Sequence, residues 1–346
     1  MLDTVKTLCY LSGVSGCEDE VRDYILERAL PYATEVSTDS MGNLLIFKAG
    51  ARSGGRTVML SAHMDEVGAI ITGISDDGYL RFDFAGGIDR RVVIGKKVFV
   101  GENRVPGVIG IKAYHLVHGD EEKSVPKVSS MYIDIGASTS DEAKALVSLG
   151  DCAVFDDSVV EFGDGYLKAK AIDDRVGCAV MLKLLESDLP CDCWFAFTVQ
   201  EEVGTRGAQT AAYRLAPDIA LVLEGTTAAD LPEVEDKKRI CAPGNGPVIP
   251  FMDKGTIYDR RLCAKLTRLA DENGIKWQTK QLIAGGTDAS AIQRSRAGVA
   301  TAAISCAIRN IHSPACIAKT SDFDAMLELA KLFLADISKE NKDEII

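Results

Sequence analysis

Five places in the chain collect side chains able to bind a metal or move a proton: His63 with Asp65, Asp173 with Asp174, Glu201 with Glu202, Glu224, and His312. Most stand at or just beyond apolar runs that read as buried strands. Residues 57–61 precede His63, residues 193–199 precede the Glu-Glu pair, and residues 219–223 precede Glu224. In open α/β sheets, ligands bind at the carboxyl ends of strands. Taken singly, each feature has an ordinary reading: a histidine satisfied in the core, a solvated acidic turn, an Asp at a helix N-cap. Taken together, carboxylates emerging from buried strands repel one another and need cations. Beyond Arg175 and Arg206, little Lys or Arg lies beside them in sequence. Two histidines with several carboxylates suit Zn²⁺ or a similar borderline cation.

The elements that must position these groups follow from hydrophobic spacing. Residues 3–35 read as helical, broken by SGVSG at 12–16, with Val21, Tyr24, Ile25 and Leu26 on one face. From about residue 69 to 160, short β-branched or alternating pieces (79–84, 97–100, 108–111, 131–135) are separated by glycine-rich turns, with one helix expected over 140–149. That texture predicts a small β-rich module. From residue 168 the chain returns to strand–helix alternation. Helices are expected over 174–185, 205–215, 256–273, 289–295 and 321–337, and strands over 193–199, 219–223, 277–282 and 299–304. Such alternation argues for an α/β sheet covered on both faces. The organisation predicted is one discontinuous domain, 1–68 plus 161–346, interrupted by a β-rich insert, 69–160. The polar run at 338–344 is expected to be solvated and mobile.

Composition narrows the function. The chain of 346 residues has 39 Lys+Arg against 51 Asp+Glu, a formal charge of −12, which opposes nucleic acid and anionic membranes as partners. Its 47% hydrophobic content excludes a disordered chain. Ten cysteines are scattered without a CxxC pair and read as buried, reduced thiols of a cytosolic protein. The N-terminus has no signal-peptide pattern, and the longest apolar-leaning run, 298–308, is too short to span a bilayer. The remaining histidines, His115 and His118, form an HxxH in the insert and read better as a polar loop than as a metal site.

HMDEVG at 63–68, AIDDR at 171–175, VQEEVGTRGA at 199–208, GGTD at 285–288 and RNIHSP at 309–314 resemble, in order and spacing, the motifs of metallopeptidase family 42. These are the tetrahedral (TET) aminopeptidases, also called glutamyl aminopeptidases or, historically, cellulase M. MYIDIGA at 131–137 extends the resemblance into the insert. It implies a zinc-peptidase fold, phosphorylase/hydrolase-like, with a mixed sheet sandwiched by helices and a PDZ-like or barrel insert that makes dimer contacts. It also implies two divalent metal ions per chain, zinc first, with cobalt or manganese as alternatives. Carried over residue by residue, Asp173 bridges the two ions. His63 and Glu224 complete one site, and Glu202 and His312 the other. Glu201 is the general base, and Asp65, two residues from His63, orients its imidazole. Thr287, Asp288 and Arg309 are candidate substrate contacts, although Thr287-Asp288 is also an ordinary helix cap and Arg309 could simply pair with an acid. One position departs from the family's pattern: most members have Asp where this chain has Glu224. Glu also binds metal, so it stays a ligand, but in the wider clan Glu here accompanies enzymes not restricted to aminopeptidase work.

The resemblance therefore implies a cytoplasmic aminopeptidase acting on short peptides, assembled from dimers into a tetrahedral dodecamer. Rival expectations are a carboxypeptidase or deacylase of the same clan, an inactive scaffold, or the endoglucanase of the historical label. The last would need two free carboxylates, and here most are assigned to metals.

Overall fold

The computed structural model describes residues 1–156 and 158–340. The chain begins with helices α1 (Leu2–Tyr10) and α2 (Asp19–Ala29), then the hairpin β1 (Glu35–Thr38) and β2 (Leu44–Lys48), then β3 (Val58–His63). The insert comprises β4 (Gly68–Ile74), β5 (Leu80–Ala85), β6 (Lys97–Val100), β7 (Val105–Gly110), β8 (Tyr132–Asp134), helix α3 (Ser140–Lys144) and β9 (Cys152–Phe155). After it come β10 (Val160–Phe162), β11 (Tyr166–Ala169), α4 (Ile172–Leu185), β12 (Cys193–Thr198), α5 (Arg206–Leu215) and β13 (Ile219–Thr227). The chain closes with α6 (Arg260–Glu272), α7 (Ala289–Gln293), β14 (Ala300–Ile308), β15 (Cys316–Lys319) and α8 (Thr320–Ile337).

The central sheet has the order β1-β2-β12-β3-β13-β14. The β12, β3, β13 and β14 strands run parallel, and the β1–β2 hairpin joins antiparallel beside β12. Period-2 alternation explains the two layers of core. On β13, Ile219, Leu221 and Leu223 join the larger cluster under α1, α2, α4 and α8, while Ala220 and Val222 face Ala208, Ala211, Ala289 and Ile292 of α5 and α7. The α4 helix, the middle of that first layer, is buried almost all round. Its Gly177 is required by space: a Cβ there would stand 2.5 Å from Asp174 Oδ2 and 2.7 Å from the Leu223 carbonyl oxygen. The result is the α/β fold expected, with its strand ends gathered along one edge. A separate three-stranded antiparallel sheet, β10-β11-β15, flanks them.

The insert is a closed six-stranded barrel, β4-β5-β8-β7-β6-β9, around an apolar core that includes Ile71, Phe82, Val98, Ile109 and Ile133. Several local expectations are corrected. Residues 277–282 form no strand; Gln278 makes an isolated bridge with Val248, which in turn bridges Ser305 of β14. The helix expected over 140–149 stops at Lys144. The α6 helix starts at Arg260 rather than 256, since Asp259 caps it by accepting from the amides of Arg261 and Leu262 at 2.9 and 3.1 Å. The reduced-thiol expectation fails for one pair: Cys17 and Cys152, 135 positions apart, are joined in a disulfide linking the loop before α2 to the barrel. The other cysteines are free and buried. The polar tail at 338–344 passes outside the described residues after Glu340, which itself meets Lys265 at 2.7 Å.

Candidate metal centre

The sheet delivers the acidic and imidazole groups to one place. His63 is the last residue of β3, paired in register with Thr198, the last of β12, so the Glu201–Glu202 turn leaves the sheet beside it. Glu224 lies within β13 rather than after it, since that strand continues to Thr227. Asp173 stands just ahead of the regular part of α4, joined to Asp174 by a cis peptide bond. The Gly225 amide donates to Asp173 Oδ1 at 3.1 Å, and a Cβ at Gly225 would come within 2.5 Å of that oxygen, so only glycine lets the carboxylate seat against β13. His312 follows β14 with φ of +58°.

The Asp173 carboxylate is divided between the two histidines. Its Oδ1 is 3.4 Å from His63 Nε2, and its Oδ2 is 3.7 Å from His312 Nε2. Glu224 Oε1 lies 3.8 Å from His63 Nε2, and Glu202 Oε2 lies 3.3 Å from His312 Nε2. Both rings have their other nitrogen on a backbone oxygen, His63 Nδ1 on Asp65 O at 3.0 Å and His312 Nδ1 on Gly87 O at 2.9 Å. With Nδ1–H donating outward, each Nε2 turns a lone pair toward carboxylate oxygens, an arrangement that only a proton or a cation reconciles. Donor atoms of His63, Asp173 and Glu202 lie within 4.8 Å of one another, and so do those of His63, Glu201 and Glu224. Glu224 Oε2 is buried without a hydrogen-bond partner. The donor set fits the divalent cations that the chemistry calls for.

Asp65 lies beyond the end of β3, with its carboxylate turned toward His63 and the Glu201–Glu202 turn. Oδ1 is 3.4 Å from His63 Nδ1 and accepts from the Glu201 amide at 2.9 Å. Oδ2 accepts from the Glu202 amide at 3.1 Å and from Ser15 Oγ at 2.6 Å. One fully buried carboxylate thus orients the imidazole and the Glu-Glu turn together.

Charge follows from this packing. Burial favours neutral Asp173, but hydrogen bonds from His312 and His63 outweigh it and hold its pKa well below the usual carboxylate range. Burial opposes protonation of His63, yet Glu224, Asp173 and Asp65 together hold its pKa well above the ordinary value. The same contest raises His312 to about 9, with Asp173 and Glu202 outweighing burial. Burial lifts Glu202 to about 7 despite His312. Glu201 is raised well above its usual value, mainly by burial.

The candidate substrate contacts divide. Asp288 is buried, accepts from Thr198 Oγ1 at 2.5 Å and leaves Oδ1 without a partner. Thr287 Oγ1 meets the Tyr258 hydroxyl at 3.2 Å, which also contacts Asp253 at 2.6 Å. Arg309 instead forms a two-pronged pair with Asp230, Nε to Oδ1 at 2.9 Å, and lies over the Tyr166 ring. His115 and His118 are exposed and belong to no cluster of metal-binding donors among the described residues. Sequence reasoning missed Ser15, Glu18, Glu66 and Lys170. Glu18 Oε1 accepts from the Gln200 amide at 3.1 Å, supporting the turn that carries Glu201. The signals were present: Glu66 adjoins Asp65, and Lys170 precedes Asp173 by one strand-end turn.

Residues 42–329 match the M42 glutamyl aminopeptidase family. The chain belongs to that family. It is accordingly a hydrolase of peptide bonds. It is 38% identical to a putative aminopeptidase of Acetivibrio thermocellus over 95% of this chain and 97% of that one. Its fold is similar to aminopeptidase APDkam598 from the archaeon Desulfurococcus kamchatkensis, with a TM-score of 0.92 at 35% identity, covering 99% and 98% of the two chains. It is likewise similar to the Pyrococcus horikoshii TET1 peptidase, which can assemble into a tetrahedron or a large octahedral shell, with a TM-score of 0.85 at 35% identity over 96% and 98%. As an M42 family member the chain has, among its described residues, no helix long and apolar enough to cross a membrane.

Proposed function

We propose that this M42 enzyme is a co-catalytic di-metal aminopeptidase that removes N-terminal residues from short peptides. The observation that carries the reading is the Asp173 carboxylate, one oxygen toward His63 and the other toward His312. His63 and Glu224 would hold one divalent cation and Glu202 and His312 the other, with Asp173 shared. When bound, such a pair supplies Lewis acidity toward the scissile carbonyl and toward the attacking water. Zinc suits the His/carboxylate donors best, and cobalt or manganese also fit them.

The protein's own groups do the rest. Glu201, whose carboxylate lies near the donors of His63 and Glu224 and which this reading keeps free of metal, takes the water's proton and passes it to the leaving amine. Asp65 keeps the His63 ring turned inward and holds the amides of Glu201 and Glu202, so base and ligand keep fixed positions relative to Asp173. Burial around Glu201 and Glu224 excludes bulk water and strengthens each charge interaction. Asp288 and Thr287 line the same region as candidate substrate contacts. We further infer a cytosolic homo-oligomer, dimer-based and of the tetrahedral type, with the 69–160 barrel making dimer contacts within 1–68 plus 161–346 subunits. The similarity to the TET1 peptidase supports this assembly.

The test is a panel of aminoacyl-p-nitroanilides assayed on chelated enzyme with each metal added back. Activity on free N-termini, lost on chelation and restored by a divalent ion, supports the reading; activity that survives chelation contradicts it. Glu224 favours one second reading, a carboxypeptidase or deacylase of the same clan. An N-blocked peptide cleaved as fast as its free counterpart would select it.

A further inference from the structure

Behind the metal centre lies a second set of buried charges that the proposed chemistry does not use. Glu66, Lys170 and Arg175 are 2%, 1% and 0% exposed. Lys170 Nζ donates to both carboxylate oxygens of Glu66, at 2.7 and 2.9 Å, and to the Leu11 carbonyl at 2.6 Å. Arg175 Nη2 donates to Glu66 Oε1 at 2.8 Å, and its Nη1 donates to the Met64 carbonyl. The Glu66 amide donates to Gly13 O at 2.8 Å. Gly13 leaves room for the guanidinium: a Cβ there would fall 2.7 Å from Arg175 Nη2.

Three segments converge on Glu66 and its partner Lys170. The first is the end of the N-terminal helix, through Leu11 and Gly13. The second is the strand extension that carries His63 and Asp65. The third is the segment that carries Asp173, flanked by Lys170 and Arg175. The triad is contiguous with the site as well. Glu66 and Lys170 line a cavity of about 10 Å³ together with Asp173, Glu202 and His312. A buried ion cluster is weak as a source of stability, because well-packed apolar side chains do as well. What it supplies is direction, since each hydrogen bond has a fixed length and angle.

On the reading that this is a di-metal peptidase, we propose that Glu66, with Lys170 and Arg175, is a positioning unit that locks the His63 segment to the Asp173 segment. His63, a ligand of one site, and Asp173, the carboxylate shared by both, come from these two separate segments. With the triad intact, the donors of His63 and Asp173 are held in place before any cation arrives. With it loosened, binding a cation must also pull the two segments into register, so affinity falls. Turnover falls with it, because Asp65 and the Glu201 turn move with the His63 segment.

The experiment compares Glu66→Gln and Lys170→Met with the wild-type chain. Glu66→Gln keeps the side-chain shape and removes the ionic bonds. Lys170→Met leaves a single Glu66–Arg175 pair, so its buried charges stay balanced even if Glu66→Gln fails to fold. Zn²⁺ affinity is measured by competition with a chromophoric chelator, and kcat and KM on saturating Zn²⁺ with a free-N-terminal substrate. The account predicts, for folded Glu66→Gln, Zn²⁺ affinity and kcat each down about tenfold or more, with KM within about twofold. Lys170→Met shifts both in the same direction by a smaller factor. If folded variants show a lower Tm but wild-type Zn²⁺ affinity and kcat, the triad is merely structural and the proposal is overturned. The Zn²⁺ measurement needs no activity, which keeps the two readings apart. A wild-type chain that binds Zn²⁺ yet cleaves nothing refutes the peptidase function, whereas wild-type behaviour in both variants refutes only the triad.

Discussion

The two parts of this molecule bury different things. In the barrel, from Gly68 of β4 to Phe155 of β9, every buried residue among those described is apolar or glycine. In the α/β domain the buried set includes His63, Asp65, Glu66, Lys170, Asp174, Arg175, Glu224 and Asp288. Burying a charge costs far more than burying a methyl group unless a partner is supplied. The barrel follows the ordinary rule for a small β module, and the α/β domain departs from it most densely where strand ends meet. The barrel meets the surroundings of the site at several points: the Gly87 carbonyl turns His312, Arg104 Nη1 donates to Ser12 Oγ at 2.6 Å, Ala85 and Val154 pack with Val14, and the Cys17–Cys152 bridge reaches the loop carrying Ser15. Function is therefore located by buried charge rather than by cavity size or by either fold alone.

That contrast can be broken experimentally. The largest effect is expected from Glu224→Ala, which removes a ligand and should lower activity at least about a hundredfold, with elemental analysis finding fewer than two divalent ions per chain. Retention of both ions would refute the assignment. Asp65→Asn leaves the metal donors in place but weakens the hold on His63 and on the Glu201–Glu202 amides. Here kcat is expected to fall about 10–100-fold, with the metals retained.

Proton competition sharpens the comparison further. Metal-free, Glu202 titrates at about 7 and His312 at about 9, both above their ordinary values. Each must lose its proton to bind a cation, so the metal-free fold binds more protons than the loaded one, and raising the pH favours loading. Divalent-ion affinity should therefore rise from pH 6 to 9, by up to about tenfold per unit for each proton displaced. A flat profile would contradict the assigned ligands. The smallest effect on chemistry is expected from the barrel. Ile133→Ala should destabilise the protein by about 2–5 kcal/mol, read by calorimetry, while kcat below the unfolding temperature stays within about twofold. A large loss of kcat would show that the barrel does more than support the site.

Much of this was legible in the chain. The parallel strands are apolar runs ending in chemistry-bearing residues, so β3, β12, β13 and β14 were readable, and with them the places of His63, Glu201, Glu202, Glu224 and His312. The β1–β2 hairpin was not, because the edge strand β1 is short and half-exposed, and β2 has only five residues, a buried apolar run without period-2 alternation. Residues 277–282 read like a strand but bond mainly to loops, Gln278 to Pro247 and Ile249 and Gln281 to Ile240, while Trp277 Nε1 donates to Asp271 of α6 at 2.8 Å. Spacing cannot report contacts between distant segments. The Cys17–Cys152 bridge spans 135 positions, and the Glu66–Lys170 pair spans 104. Both become visible only once the loop before α2, the end of β3 and the start of α4 are brought together. Arg309 had two readings, a substrate contact or a pair with an acid; the acid it pairs with, Asp230, lies far away in the chain and could not be named from spacing.

The central claim is that Glu201 moves the proton while its neighbour Glu202 holds metal. Glu201→Gln tests it most directly, assayed for peptide hydrolysis with metal content measured on the same sample. The account predicts two divalent ions retained and kcat reduced about 10²–10⁴-fold. Hydrolysis near the wild-type rate with both ions bound would contradict it.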